Sequence, residues 1–196
     1  MFVILTPMNR DETALLDIIR DNSLQIGEFV LSSGKKSSYY LDCRVTTLHP
    51  RGALLTARLL LRSIRAHRID AEAIGGLTLG ADPIVASVAV VSEIEGVPLP
   101  GFIVRREKKK HGTERQIEGW RGTSGSRVIV VDDVCTSGAS LMEACRAVES
   151  AGYKVAATMC VIDRLEKPAE TLRARYPFYS LFTIGDLLPE GAGRAV

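Results

Sequence analysis

The 196-residue chain is 46% hydrophobic and 24% charged, the make-up of one globular unit with enough apolar side chains for a core. Its net charge of +2 gives no reason to expect nucleic acid or a membrane surface as partner, so any anion site has to be local. Cys43, Cys135, Cys145 and Cys160 form no CxxC pair and meet no histidine cluster. Neither a zinc site nor a disulfide framework is suggested, and a reducing cytoplasm is the expected location.

The opening MFVILTPM has no basic n-region and no small-residue cleavage site, so it does not read as a signal peptide. No stretch approaches the roughly 18 to 20 apolar residues that a membrane helix needs. Residues 10–22 carry Leu15, Leu16, Ile18 and Ile19 at helical spacing, with Asn9 or Asp11 as the cap. EFVL and SSYYLDCRV then read as two strands of a hairpin or pair, joined by SSGKK, where Gly34 can take the positive φ of a tight turn. Residues 50–66 start with proline and place Leu54, Leu55, Leu59, Leu61 and Ile64 among arginines, the pattern of an amphipathic helix.

Beyond this point short apolar runs alternate with helical stretches: EAIGG, ADPIVASVAVVSEIE, PGFIVR, SRVIVVDD, ASLMEACRAVESAG and KVAATMCVID. That rhythm predicts a parallel sheet with covering helices, because parallel neighbours need crossover connections. Residues 106–126 break the rhythm with charge and glycine and read as a long loop.

The segment most informative about chemistry is VIVVDDVCTSGAS, residues 128–140. Four apolar residues form a strand buried on both faces, and Asp132 and Asp133 stand at its carboxyl end, where open parallel sheets bind ligands. In the small turn and helix start that follow, Thr136, Ser137, Gly138, Ala139 and Ser140 can offer backbone N–H groups to a monophosphate. Two carboxylates beside that cradle can accept hydrogen bonds from vicinal hydroxyls. Phosphate next to a diol describes a ribose 5-phosphate. The alternative for the aspartates is a strand end with one of them capping the helix. Walker A and GxGxxG patterns are absent.

This segment resembles the phosphoribosyl pyrophosphate (PRPP) motif of the type I phosphoribosyltransferases, which leaves the acceptor base open. FVLSSGKKSSYYLD (29–42), RREKKKHGTE (105–114), CVIDR (160–164) and FTIGDLL (182–188) resemble segments of one branch, the orotate phosphoribosyltransferases. The resemblance spans nearly the whole chain. It implies an α/β fold over residues 1–196: a central, mainly parallel sheet flanked by helices, with about 1–45 and the C-terminal segment forming a small hood, and a mobile loop over about 106–126. It also implies the reaction of orotate with PRPP to give orotidine 5′-monophosphate and pyrophosphate, a step of de novo pyrimidine (UMP) biosynthesis.

Within residues 105–115, Arg105, Arg106, Lys108, Lys109, Lys110 and Arg115 face only Glu107 and Glu114, with His111 among them. Such a cluster is either solvated, a weak nucleic-acid contact, or the holder of an anion, and a departing pyrophosphate is an anion of the right kind. By resemblance, Arg105, Arg106, Lys109 and His111 contact that pyrophosphate. Lys109 and His111 then join Asp132 and Asp133 as catalytic candidates, and Val134 and Cys135 join the PRPP-binding stretch. The loop is further expected to close over the site of the second subunit of a homodimer. Thr136 and Arg164 match positions that hold orotate, and a guanidinium at a strand end can pair bidentately with its carboxylate. The alternative for Arg164 is a surface ion pair with Glu166 or Asp163. Tyr40 matches an aromatic position beside the base, and packing within the hairpin explains it equally well.

Mg²⁺ is the expected cofactor, held chiefly by PRPP oxygens and water with no dedicated protein ligand set. The chain departs from the pattern of many relatives at Ser32 and Arg106, where lysines are common, and in the lysine-free GLTLGADP. Residues 75–82 are still expected to form a backbone anion loop at a helix start. Two other readings stay open: transfer to a different base, and a non-catalytic PRPP-binding regulator.

Overall fold

The computed structural model describes residues 8–30, 36–106 and 116–188. Helix α1 (Arg10–Asn22) starts at Asn9, whose side chain accepts from the N–H groups of Asp11 and Glu12 while the Glu12 carboxylate answers the Asn9 N–H. This capping box contributes about 1 kcal/mol and settles the choice of cap in favour of Asn9. The helix buries Leu15, Leu16 and Ile19.

Strands β1 (Leu24–Val30) and β2 (Lys36–Leu41) pair antiparallel, from Leu24 opposite Leu41 to Val30 opposite Lys36. The second β-prone run extends to Val45 in the sequence, but the strand stops at Leu41. Asp42 accepts from both the backbone N–H and the guanidinium of Arg44, a local bond that competes with strand pairing, and α2 (Arg44–Thr47) follows. Helix α3 (Pro50–Ala66) is capped by His49, which accepts from the Gly52 N–H at 3.3 Å. Of its expected apolar face, Leu55, Leu59 and Leu61 are buried, whereas Leu54 is 37% exposed and Leu60 is fully buried instead.

The remaining elements are β3 (Ala73–Leu77), α4 (Asp82–Ile94), β4 (Gly101–Val104), β5 (Ile117–Gly119), β6 (Arg127–Cys135), α5 (Ala139–Ser150), β7 (Lys154–Asp163), α6 (Glu170–Arg175), β8 (Phe178–Thr183) and α7 (Ile184–Leu187). Among the described residues six strands form one sheet in the order β5-β4-β3-β6-β7-β8, parallel throughout except for β5. The fold is therefore α/β with a mainly parallel central sheet, as the alternating pattern predicts. Strand β5 is a correction to the loop expected over 106–126. Arg105 donates its N–H to the Gln116 carbonyl at 2.9 Å and Val104 pairs with Ile117, so the chain turns back as a short antiparallel edge. Three residues with one apolar side chain carry no readable strand pattern.

Strand β6 lies at the centre and alternates as a two-sided strand must. Ile129 and Val131 face a core built with α1, α3 and α4, while Val128 and Val130 face a second core with Leu141, Cys145 and Val148 of α5. Asp132 and Asp133 stand at the carboxyl end of the strand, as the sequence suggests, and the strand runs two residues beyond them. Pairing with β7 continues through Val134 opposite Ile162 and Cys135 opposite Asp163. The glycines of EAIGG have a packing reason: a Cβ on Gly76 would collide with the Val131 carbonyl, so only glycine lets β3 and the turn after it settle onto β6.

The β1–β2 pair borders the carboxyl ends of the sheet strands, since Leu41 and Asp42 line the same cleft as Asp132 and Asp133. Near the C-terminus, α7 packs on α1, with Arg20 donating to the Asp186 carbonyl.

Candidate active site

The strand ends enclose a cleft of about 530 Å³. Its floor is Asp132, Asp133 and Val134 of β6, and one wall is Thr136 and Ser140 of the turn into α5. Opposite stands the turn after β3, Thr78 to Gly80, which contains a cis peptide between Thr78 and Leu79. Gly80 lies directly on the carboxylates: a Cβ there would stand 2.6 Å from Asp132 Oδ1 and 2.8 Å from Asp133 Oδ1.

The two aspartates are held by their own backbone. Asp132 Oδ1 accepts from the Asp133 N–H at 3.0 Å, and Asp133 Oδ1 accepts from the Val134 N–H at 2.8 Å. Neither caps α5, whose N-cap is Gly138 at φ +75°, a conformation that suits glycine. Burial, followed by the charge of Asp133, pushes the Asp132 carboxyl up to about 8, with Arg106 acting in the opposite direction. Burial likewise raises Asp133, against the pull of its own hydrogen bond from Val134 and of Arg44. Desolvated carboxylates without full compensation are suited to hydroxyl donors or a cation.

Next to Asp132, residues 134–141 line a separate hollow of about 90 Å³. It is much smaller than the main cleft and suits a compact group such as a phosphate. Helix α5 opens there without a side-chain cap, so its first turn directs backbone N–H groups and positive potential into the hollow. The Ser137 hydroxyl accepts from the Ala139 N–H at 3.4 Å. Cys135 contributes through its backbone. Its side chain is buried in the core, and its carbonyl accepts from the Arg164 N–H at 2.9 Å.

That bond brings Arg164, just past the end of β7, into the cleft with a side chain 15% exposed. Its Nη2 lies 3.4 Å from Glu166, so the ion pair considered as the alternative forms, yet the guanidinium still lines the cleft. Asp163 is not its partner, because both Asp163 oxygens accept from Arg173 at 2.7 Å. The residue that holds Arg164 from the hairpin is Tyr39, whose hydroxyl accepts from Nε at 2.9 Å. Tyr40 points the other way, is 40% exposed, and packs on Phe29 with ring centroids 5.8 Å apart. The alternation of β2 accounts for the difference: Ser37, Tyr39 and Leu41 are partly buried, while Ser38 and Tyr40 are exposed. A period-2 reading of KSSYYL identifies two faces without saying which one meets the sheet.

Arg44 is a cleft residue that sequence reading passed over. It grips Asp42 bidentately, Nε and Nη2 donating at 2.8 and 2.9 Å, and holds the Asp42 carboxyl below its ordinary range. Arg105 and Arg106 open onto an adjoining pocket of about 470 Å³ shared with Thr78, Asp82 and Glu118. Arg106 also lines the main cleft, with its Nη1 3.9 Å from Glu143. Lys109 and His111, and Ser32 in the hairpin, lie outside the described residues.

A parallel α/β sheet that sets paired carboxylates beside a phosphate-sized hollow is the architecture of a phosphoribosyltransferase, and the chain belongs to that family, whose phosphoribosyl transferase domain matches residues 54–193. Within it the chain groups with the orotate phosphoribosyltransferases. The enzyme of that name from Rhodopirellula baltica is 45% identical over 83% of this chain and 86% of its own length, and that from Nostoc sp. is 44% identical over 88% and 83%. Among solved structures, orotate phosphoribosyltransferase of Mycobacterium tuberculosis in complex with PRPP is 33% identical over 90% of this chain and 98% of its own, with a TM-score of 0.74. An adenine phosphoribosyltransferase from Leishmania donovani, 20% identical with a TM-score of 0.62, shares the fold.

Proposed function

We propose that the chain transfers the 5-phosphoribosyl group of PRPP to orotate, releasing orotidine 5′-monophosphate and pyrophosphate. The observation that carries this reading is the opening of Arg164 onto the same cleft as Asp132, Asp133 and Thr136. Orotate differs from other nucleobases in bearing a carboxylate, and a guanidinium recognises a carboxylate with two parallel charge-assisted hydrogen bonds. Thr136 stands between this base end and the phosphate hollow.

The 5-phosphate occupies the hollow at the start of α5, and the ribose hydroxyls donate to Asp132 and Asp133. As the bond from ribose C1 to pyrophosphate breaks and the bond to the base nitrogen forms, positive charge grows on the ribose. The paired carboxylates below it stabilise that charge. The leaving pyrophosphate lies toward Thr78 to Gly80 and the pocket of Arg105 and Arg106. No side chain acts as a covalent nucleophile.

The desolvated carboxylate pair fits Mg²⁺ as a cofactor. Bound mainly through PRPP oxygens and water, Mg²⁺ would neutralise charge on the pyrophosphate. The described cysteines are all buried and free, which suits a reducing cytoplasm, and among the described residues no helix is long and apolar enough to cross a membrane.

The direct test is the loss of orotate absorbance on adding PRPP and Mg²⁺, with adenine, guanine, hypoxanthine and uracil in parallel. Orotate alone should be consumed, and consumption of another base in its place would defeat the reading.

We also propose a homodimer in which the basic loop, with Lys109 and His111, completes the neighbouring site. The support is the number of cations in a hydrophilic segment long enough to reach a neighbour. Lys109→Ala and Asp133→Asn chains, each nearly inactive, should regain about half the wild-type activity per mixed dimer once subunits exchange, because one site then carries both defects and the other none. No recovery despite demonstrated exchange would place the loop in its own subunit's site.

A further inference from the structure

Arg164 could present its donors to a ligand in two ways. A guanidinium has two edges capable of bidentate pairing, one formed by Nε with Nη2 and the other by Nη1 with Nη2. In this cleft the first edge is already engaged. Nε donates to the Tyr39 hydroxyl at 2.9 Å, whereas Glu166, 3.4 Å from Nη2, approaches a nitrogen that both edges share. The Tyr39 ring also lies under the guanidinium, 4.9 Å from its carbon to the ring centroid, a cation–π contact in a partly buried setting. Tyr39 and Arg164 are 125 positions apart in sequence, so this single side chain ties the β1–β2 hairpin to the end of β7. Among the described residues Nη1 makes no hydrogen bond, and Nε is the one side-chain nitrogen of Arg164 that does.

We infer that Tyr39 is a positioning residue for substrate recognition: it locks the Nε edge of Arg164 from the hairpin side and leaves the Nη1/Nη2 edge as the one that meets the base carboxylate. The phenolic hydroxyl is the active part. A phenylalanine would keep the ring under the guanidinium but would release rotation about the end of the arginine side chain, so the carboxylate would meet a mobile donor pair. Glu166 also lies beside Arg164, 3.4 Å from Nη2, while the guanidinium still lines the cleft.

The inference rests on the proposed use of orotate, and the experiment separates the two. Wild type, Tyr39→Phe, Arg164→Ala and the double variant are compared for kcat and for KM of each substrate. Tyr39→Phe should raise the orotate KM about fivefold, the effect of one hydrogen bond, while kcat and the PRPP KM stay within about twofold of wild type. In the Arg164→Ala background the same change should add nothing, because the residue it acts through is gone. An unchanged orotate KM in Tyr39→Phe overturns the inference. So does a penalty that simply adds to that of Arg164→Ala, which would make Tyr39 a packing residue of the hairpin. Failure of the wild type itself to consume orotate would instead overturn the proposed substrate.

Discussion

The two halves of the cleft are built differently. The ribose-phosphate half is one continuous piece of chain: residues 128–140 supply the strand, both carboxylates, the turn and the helix start. The half that the proposed reaction gives to the base is composite: Arg164 after β7 donates to Tyr39 on β2 across 125 positions of sequence, and Asp42 and Arg44 beyond β2 line the same cleft as Arg164. A cradle made by one strand–turn–helix is fixed as soon as the sheet forms, because β6 pairs on both sides and is buried on both faces. A base site divided between hairpin and sheet can vary its contacts one side chain at a time without disturbing that cradle. Under the proposed reaction, chemistry common to all bases falls to the rigid half and choice of base to the composite half.

The largest expected effect falls on the rigid half. Asp133→Asn should leave the fold intact and lower kcat/KM by about a hundredfold or more, since a neutral amide stabilises developing positive charge far less than a carboxylate does. Asp132→Asn should behave similarly. Steady-state kinetics on both variants checks this, and near-normal kcat/KM in both would remove the proposed division of labour.

A smaller and more selective loss belongs to the composite half. Arg164→Ala should raise the orotate KM about ten- to a hundredfold, the range for losing hydrogen bonds between charged partners, with little change in PRPP affinity. Titration of PRPP against the variant provides the control. If PRPP binding weakens in parallel with orotate, the two halves are coupled and the contrast drawn above does not hold.

The same contrast governs what was legible in the sequence. The parallel sheet, its helices and the DD–TSGAS segment follow from local periodicity and from adjacent residues, and each expected helix appears close to its expected bounds. What escaped is non-local. The outward or inward face of KSSYYL depends on where the hairpin docks, and it is Tyr39 that turns inward to Arg164 while Tyr40 is exposed. Arg44 appeared to belong to a strand, although its bond to Asp42 ends that strand and turns it into the cleft. The short edge β5 owes its existence to pairing with β4, not to its own residues.

The smallest effect is on the stability of the free protein, and its sign distinguishes a site built for a ligand from one built for packing. Burial, then the neighbouring charge of Asp133, raises Asp132 to about 8, and Asp133 is raised by burial too. An unfolded aspartate ionises near its ordinary value of 3.8, so between that value and about 8 the native state holds a proton that the unfolded chain has released. Stability from this source is therefore complete at low pH, declines as pH rises through the window, and levels off above about pH 8. Asp132→Asn resembles the protonated acid at every pH and escapes the decline. Thermal melts of wild type and variant without ligand should nearly coincide at the acid end of the window. The variant should then gain in melting temperature as pH rises toward 8. Adding PRPP and Mg²⁺ should reverse the order at pH 8, because the ionised carboxylate then has hydroxyl donors or a cation to meet and the amide does not. A difference between the two proteins that stays constant across the pH range, or a wild type more stable than the variant at pH 8 without ligand, would mean that the Asp132 carboxylate is already satisfied within the folded chain and is not held in reserve for substrate.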